Sequence, residues 1–166
     1  MKIVGFANIE NTVRMVLKSD SSLMVNRKPF FIPDWSKDVR YAPAVVVRVC
    51  KLGKHVSAKF ASRYYDTIAP AANLYAEDYR VLGDSIRAWA FDNSLPVGTF
   101  MPLENYMPED LIISIDEAIE QVSQLMTIRQ GDLIFIERNV PARSLTREEV
   151  LREEVNGEEV LYCKIK

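Results

Sequence analysis

The sequence predicts a strand-rich α+β domain, and three observations carry that expectation. Ala44–Cys50 (AVVVRVC) is a β-branched run broken only by Arg48, as in a largely buried strand. Asn156-Gly157 separates two strand-like runs, the strongest short-range hairpin pattern. Ile115–Met126 alone carries a full helical pattern: Ser114 and Glu117 form a capping box ahead of an apolar stripe of Ala118, Val122, Leu125 and Met126.

The remaining elements follow in chain order. Lys2–Phe6, Ser22–Val25 and Phe30–Ile32 read as short strands. Ser57 is placed to cap a helix over Ala58–Tyr65, with Phe60 and Tyr64 one turn apart. Tyr79–Ala90 is a second helix, weakened at Gly83 by about 1 kcal/mol relative to alanine. Pro96, Pro102 and Pro108 mark surface loop. Gly131-Asp132 opens the strand Leu133–Ile136, and the tail supplies Glu153–Val155 and Val160–Ile165. Thr146 to Glu154 is ambiguous, because Thr146 and Glu149 also match a capping box. No repeat or linker divides residues 1–166, so one domain with about three short helices is expected.

Composition removes many chemistries. The chain has 166 residues, 48% apolar and 27% charged, with a net charge of −2. A single histidine, His55, rules out sites built on paired histidines, and it reads as a surface loop residue. The two cysteines, Cys50 and Cys163, form no CxxC and read as packing, which fits a reducing cytoplasm. The six glycines never form GxG, so phosphate-cradling loops are absent. No apolar stretch approaches the ~18 residues of a membrane span, and no secretory leader is recognisable, so the expectation is a cytoplasmic protein that does not engage membranes.

Charge is unevenly distributed. Val39 to Tyr65 holds no acidic residue, whereas Thr146 to Glu159 holds six glutamates. With the net charge acidic, the basic segment reads as solvated or mutually facing surface, not as a nucleic-acid footprint. Asp34 follows a proline, Asp132 sits in a Gly-Asp turn and Asp116 lies in a helix first turn, places where carboxylates serve structure. Asp34 and Asp38 flank Trp35, Asp110 and Asp116 bracket a strand, and none of the five forms the D-x-D or E-x-E spacing that puts two carboxylates on one strand face.

Several stretches taken together resemble a known family. They are Arg27-Lys28-Pro29-Phe30-Phe31-Ile32-Pro33-Asp34, Val45 through Lys54, Arg63-Tyr64-Tyr65-Asp66, Phe91-Asp92 with Pro96-Val97-Gly98, and Gly131-Asp132-Leu133-Ile134-Phe135. In order and spacing they are similar to the fumarylacetoacetate hydrolase family, in its short bacterial branch of 2-hydroxyhepta-2,4-diene-1,7-dioate isomerases. The resemblance implies a mixed β-sandwich or roll like that family's C-terminal domain, here truncated. It also implies a homodimer, and Mg²⁺- or Mn²⁺-dependent hydrolysis, isomerisation or decarboxylation of small 2-oxo acids.

The resemblance also locates what is missing. Aligned on Cys50-Lys51-Leu52-Gly53, the family's metal-holding Glu-x-Glu falls on Ala42 and Ala44. Aligned on Ala76-Glu77-Asp78, its aspartate falls on Asn73. The family lysine is Trp89, the Thr-Gly-Thr-Pro run is Ile136-Glu137-Arg138-Asn139, and the amino-terminal Asn-Tyr-x-x-His segment is not recognisable around Asn8–Val16. Methyl groups offer a hard dication no lone pair. The expectation is therefore a catalytically inactive relative with no metal cofactor and no catalytic residue. Its role would be interaction or regulation, as a homodimer or in a heteromer with an active paralogue, with Arg40, Arg48, Trp89 and Asp78 lining a remnant pocket. The alternative is a metal-independent enzyme on small 2-oxo acids, using Tyr75, Asp78, Arg80 and Arg87.

Overall fold

The computed structural model describes residues 1–25 and 27–166. Its frame is a mixed sheet. Strands β1 (Ile3–Ile9), β2 (Thr12–Lys18), β3 (Leu23–Met24), β4 (Val39–Val49) and β5 (Tyr65–Ala76) come first. Helices α1 (Glu77–Val81) and α2 (Ser85–Trp89) and the short strands β6 (Leu95–Pro96) and β7 (Met101–Pro102) follow. Helix α3 (Ile115–Leu125) leads into β8 (Leu133–Glu137), β9 (Arg143–Ser144), β10 (Val150–Val155) and β11 (Glu158–Lys164). The main sheet runs β2-β1-β8-β4-β5-β7 with β9 on β4; β1 and β8 are parallel and the other pairs antiparallel.

Alternation along β4 divides the molecule. Val45, Val47 and Val49 face α3, in a core with Val4, Phe6, Ile119, Val122, Ile134 and Ile136. Farther along that face, Val39, Ala72 and Leu74 pack on Leu151, Cys163 and Ile165 of the β10–β11 hairpin. Ala42, Ala44 and Val46 lie on the opposite face, where Phe135, Ala71, Tyr75 and Trp89 gather.

That second face is concave. In a flat sheet β2 and β5 would stand four strand spacings apart, roughly 19 Å. Yet Lys18 Nζ on β2 lies 2.9 Å from the Leu74 carbonyl on β5, so the sheet curls into a roll. Gly5 lets the curl close: a Cβ at position 5 would occupy the same space as the Phe135 ring.

Several expectations hold and several need correction. Helix α3 forms with Ser114 accepting from the Glu117 backbone N–H. The Asn156-Gly157 hairpin forms with both residues at positive φ, 53° and 82°, the two-residue turn that matches strand twist. Thr146 to Glu154 resolves in favour of strand, since Val150–Val155 pairs with β11. The helix expected over Ala58–Tyr65 is instead a 3₁₀ turn, Ala58–Arg63, and Ser57 makes no side-chain cap. Tyr79–Ala90 splits into α1 and α2 because Gly83 takes φ +77°. Strands β2 and β5 were not expected. Pro70 argues against a strand, but its carbonyl accepts from Gly98 N, so its missing N–H lies on the side away from β4. Among the described residues no helix is long and apolar enough to cross a membrane.

If close approach inside the curl fixes position 5, Gly5→Ala should cost about 1–3 kcal/mol in urea unfolding, through overpacking against Phe135. Phe135→Leu in the same chain should recover part of that loss; an unchanged midpoint in Gly5→Ala would contradict the assignment.

Candidate functional site

Ala42, Ala44 and Asn73 do meet, on the concave face, and all three are fully buried. Ala42 is the direct cross-strand partner of Asn73, and Ala44 that of Glu137 on the other neighbouring strand. Positions 133, 135 and 137 of β8 share this face by alternation, which brings in a carboxylate that the sequence reading did not count.

Glu137 is 4% exposed. Its Oε1 accepts from Asn73 Nδ2 at 2.7 Å and its Oε2 from the Asn8 backbone N–H at 2.8 Å. Burial raises its pKa, against the opposing pull of those two donors and of Lys18. Asn73 Oδ1 is left without a hydrogen-bond partner among the described residues.

Lys18 supplies the balancing charge. It is 3% exposed, and its ammonium donates to the carbonyls of Leu74 and Trp89, each at 2.9 Å, and to Ser94 Oγ at 3.0 Å. The rings of Phe135, Trp89 and Phe91 surround it at 5.7, 6.0 and 6.0 Å. Burial pushes its pKa down to about 7, with Glu137 working in the other direction. Neither residue carried a motif. Glu137 follows a continuous apolar run, and Lys18 closes a strand whose alternation is blurred by consecutive apolar residues.

Trp89 fills space beside this cluster. It is 5% exposed and stacks on Tyr75 with ring centroids 4.8 Å apart. Burial, with Glu77 and Glu137 nearby, raises the Tyr75 phenol to about 12, so it stays neutral. Of the other three expected pocket residues, Arg40 is placed beside it, as the direct cross-strand partner of Tyr75. Arg40 lies toward the start of β4 and pairs with Asp38 at 3.1 Å and Glu77 at 3.9 Å. Arg48 stands eight residues farther along the strand, roughly 27 Å away, over the Phe100 ring. Asp78 binds Ser36 Oγ and the Lys37 N–H, which hold its carboxyl below its usual value although desolvation pulls upward. Of the residues in the metal-independent alternative, Tyr75 stacks on Trp89, Arg80 pairs with Glu77, and Arg87 pairs with Asp84, which caps α2 by accepting from the Arg87 backbone N–H. Of the aspartates read as structural, Asp132 holds Lys2 and Asp116 accepts from the Tyr65 hydroxyl; Asp110 holds Arg138. His55 is exposed, and desolvation raises the Cys50 thiol, which points away from reactivity.

No family model matches the sequence, and no curated protein sequence matches it. Solved structures match in shape. The 2-hydroxyhepta-2,4-diene-1,7-dioate isomerase from Mycobacterium marinum superposes with a TM-score of 0.85 at 19% identity, over 99% of this chain and 73% of its own. Fumarylpyruvate hydrolase from Pseudomonas aeruginosa, solved with Mn²⁺ and pyruvate, gives 0.82 at 18%, over 99% and 88%. A protein assigned to the fumarylacetoacetate hydrolase family from Yersinia pestis CO92 gives 0.83 at 20%, over 99% and 92%. The chain has the fumarylacetoacetate hydrolase fold. The Ala42–Ala44–Asn73 face is the inside of the roll, with Glu137, Lys18 and Trp89 on the same side of the sheet.

The buried ammonium sets a pH dependence. Below pH 7 Lys18 is protonated in the folded and unfolded chain alike, and its burial cost is fully present. Between about 7 and 10.5 only the unfolded chain keeps the proton, so stability should rise with pH. Urea midpoints from pH 7 to 9.5 should climb in the native chain and climb less in Lys18→Met; parallel curves would refute the assignment.

Proposed function

We propose that this chain is a fumarylacetoacetate hydrolase-like protein that has lost metal-dependent catalysis and serves an interaction or regulatory role, as a homodimer or beside an active paralogue. The observation that carries this reading is the Asn73–Glu137 hydrogen bond at the position where the family resemblance puts the ion. The residues there do not fit a divalent cation. Ala42 and Ala44 present methyl groups, and Asn73 turns its amide nitrogen toward Glu137. Both oxygens of the one carboxylate already accept hydrogen bonds. Asn73 Oδ1 is the one neutral acceptor left over, and the Lys18 ammonium already supplies positive charge nearby. Among the described residues no three His, Cys, Asp or Glu side chains come together as a ligand set.

A second reading, metal-independent turnover of small 2-oxo acids, draws support from Arg80, Lys18 and Trp89 bordering one cavity. The experiment separates the two. Purified protein should show no stoichiometric Mn²⁺ or Mg²⁺ by elemental analysis and no Mn²⁺ binding by calorimetry. It should also show no acylpyruvate hydrolysis or oxaloacetate decarboxylation with or without added ion. Tight Mn²⁺ that Glu137→Gln abolishes would overturn the proposal, and turnover unaffected by chelator would favour the second reading.

A further inference from the structure

The edge strand β2 and the α1–α2 corner flank a half-open cavity of about 770 Å³, within the ordinary range of small-molecule sites. Met15 and Val16 line one side, and Ile86, Ala88 and Trp89 the other. Three cations, Arg14, Lys18 and Arg80, also line it, and no aspartate or glutamate does.

The three cations are not equivalent. Lys18 spends its N–H groups on two carbonyls and Ser94. Arg80 is held by both oxygens of Glu77 at 2.7 Å and approaches Glu10 at 3.8 Å. Arg14 has no carboxylate within ion-pairing distance among the described residues, and it is exposed. The cavity therefore offers one unpaired guanidinium at its mouth beside an apolar interior. Ile86, 74% exposed on the α2 side, is apolar surface left for a ligand to cover.

From this we infer that the cavity between β2 and α2 binds an organic monocarboxylate with an apolar body. A planar guanidinium matches a carboxylate bidentately. The single free cation selects one negative charge, and the Val16, Ile86 and Trp89 surfaces select a hydrocarbon or aromatic body. Lys18 and Trp89 border both this cavity and the Ala42–Asn73 face, but Arg14, which carries the inference, has no part in the metal reading.

Trp89 reports on the site, because its indole is one wall. In a Trp35→Phe background, octanoate should change Trp89 emission saturably, and equilibrium dialysis of radiolabelled octanoate should give the same affinity. The neutral 1-octanol should bind at least tenfold more weakly. Arg14→Gln, on an exposed side chain whose loss spares the core, should weaken octanoate about tenfold and leave 1-octanol unchanged, with an unaltered thermal midpoint as the folding control. Absence of saturable octanoate by dialysis, equal affinity for acid and alcohol, or an Arg14→Gln variant that binds octanoate as the parent does would each overturn it. Mn²⁺ or turnover measurements do not enter these outcomes, so this inference and the metal reading fail independently.

Discussion

The Lys18 ammonium is the fixed point of the concave face. An ammonium removed from water must find an oxygen for each N–H, because an unmatched charged donor in the interior costs several kcal/mol. Lys18 finds them on Leu74, Trp89 and Ser94, which belong to β5, α2 and the loop before β6. An edge strand, a central strand and a helix end must therefore meet at one point, and a flat sheet cannot do that. The curl that brings them together presses Phe135 over Gly5 and closes the roll.

The same constraint explains how the interior of the roll is filled. Alanines at 42 and 44 leave space on β4, and the neighbouring strands return it as one carboxylate and one amide. Trp89 and Tyr75 occupy the adjoining volume as a stacked pair, an arrangement that contributes about 0.5–1.5 kcal/mol beyond burial. Positive and negative charge are both present, but as side chains of the chain itself, each already engaged. A polar interior with nearly every hydrogen-bonding atom matched rigidifies a fold.

Fold and site were legible to different degrees. Helix α3, β4 and the β10–β11 hairpin announce themselves locally, through a cap, a β-branched run and an Asn-Gly turn. Strands β2 and β5 do not. Pro70 looks like a strand breaker until its outward position is known, and β2 owes its place to pairing with β1. The grouping of Ala42, Ala44 and Asn73 was reached through ordered family-like stretches and not through periodicity. Glu137 could have been found from the alternation of 133, 135 and 137, had the register of β8 against β4 been known. That the shape matches solved structures at 15–20% identity fits the tolerance of packed cores to substitutions that keep volume and pattern.

Sequence by itself determined which residue patterns the chain does not contain and where its most regular elements lie, because caps, turns and apolar periodicity act over a few residues. Only the tertiary structure decided that Lys18 and Glu137 share the concave face with Asn73, that Arg40 and Arg48 lie far apart, and that Arg14, with no carboxylate in ion-pairing distance among the described residues, borders an apolar cavity. Those relations depend on strand register and sheet curvature, which are fixed by contacts between residues dozens of positions apart and leave no local mark on the chain.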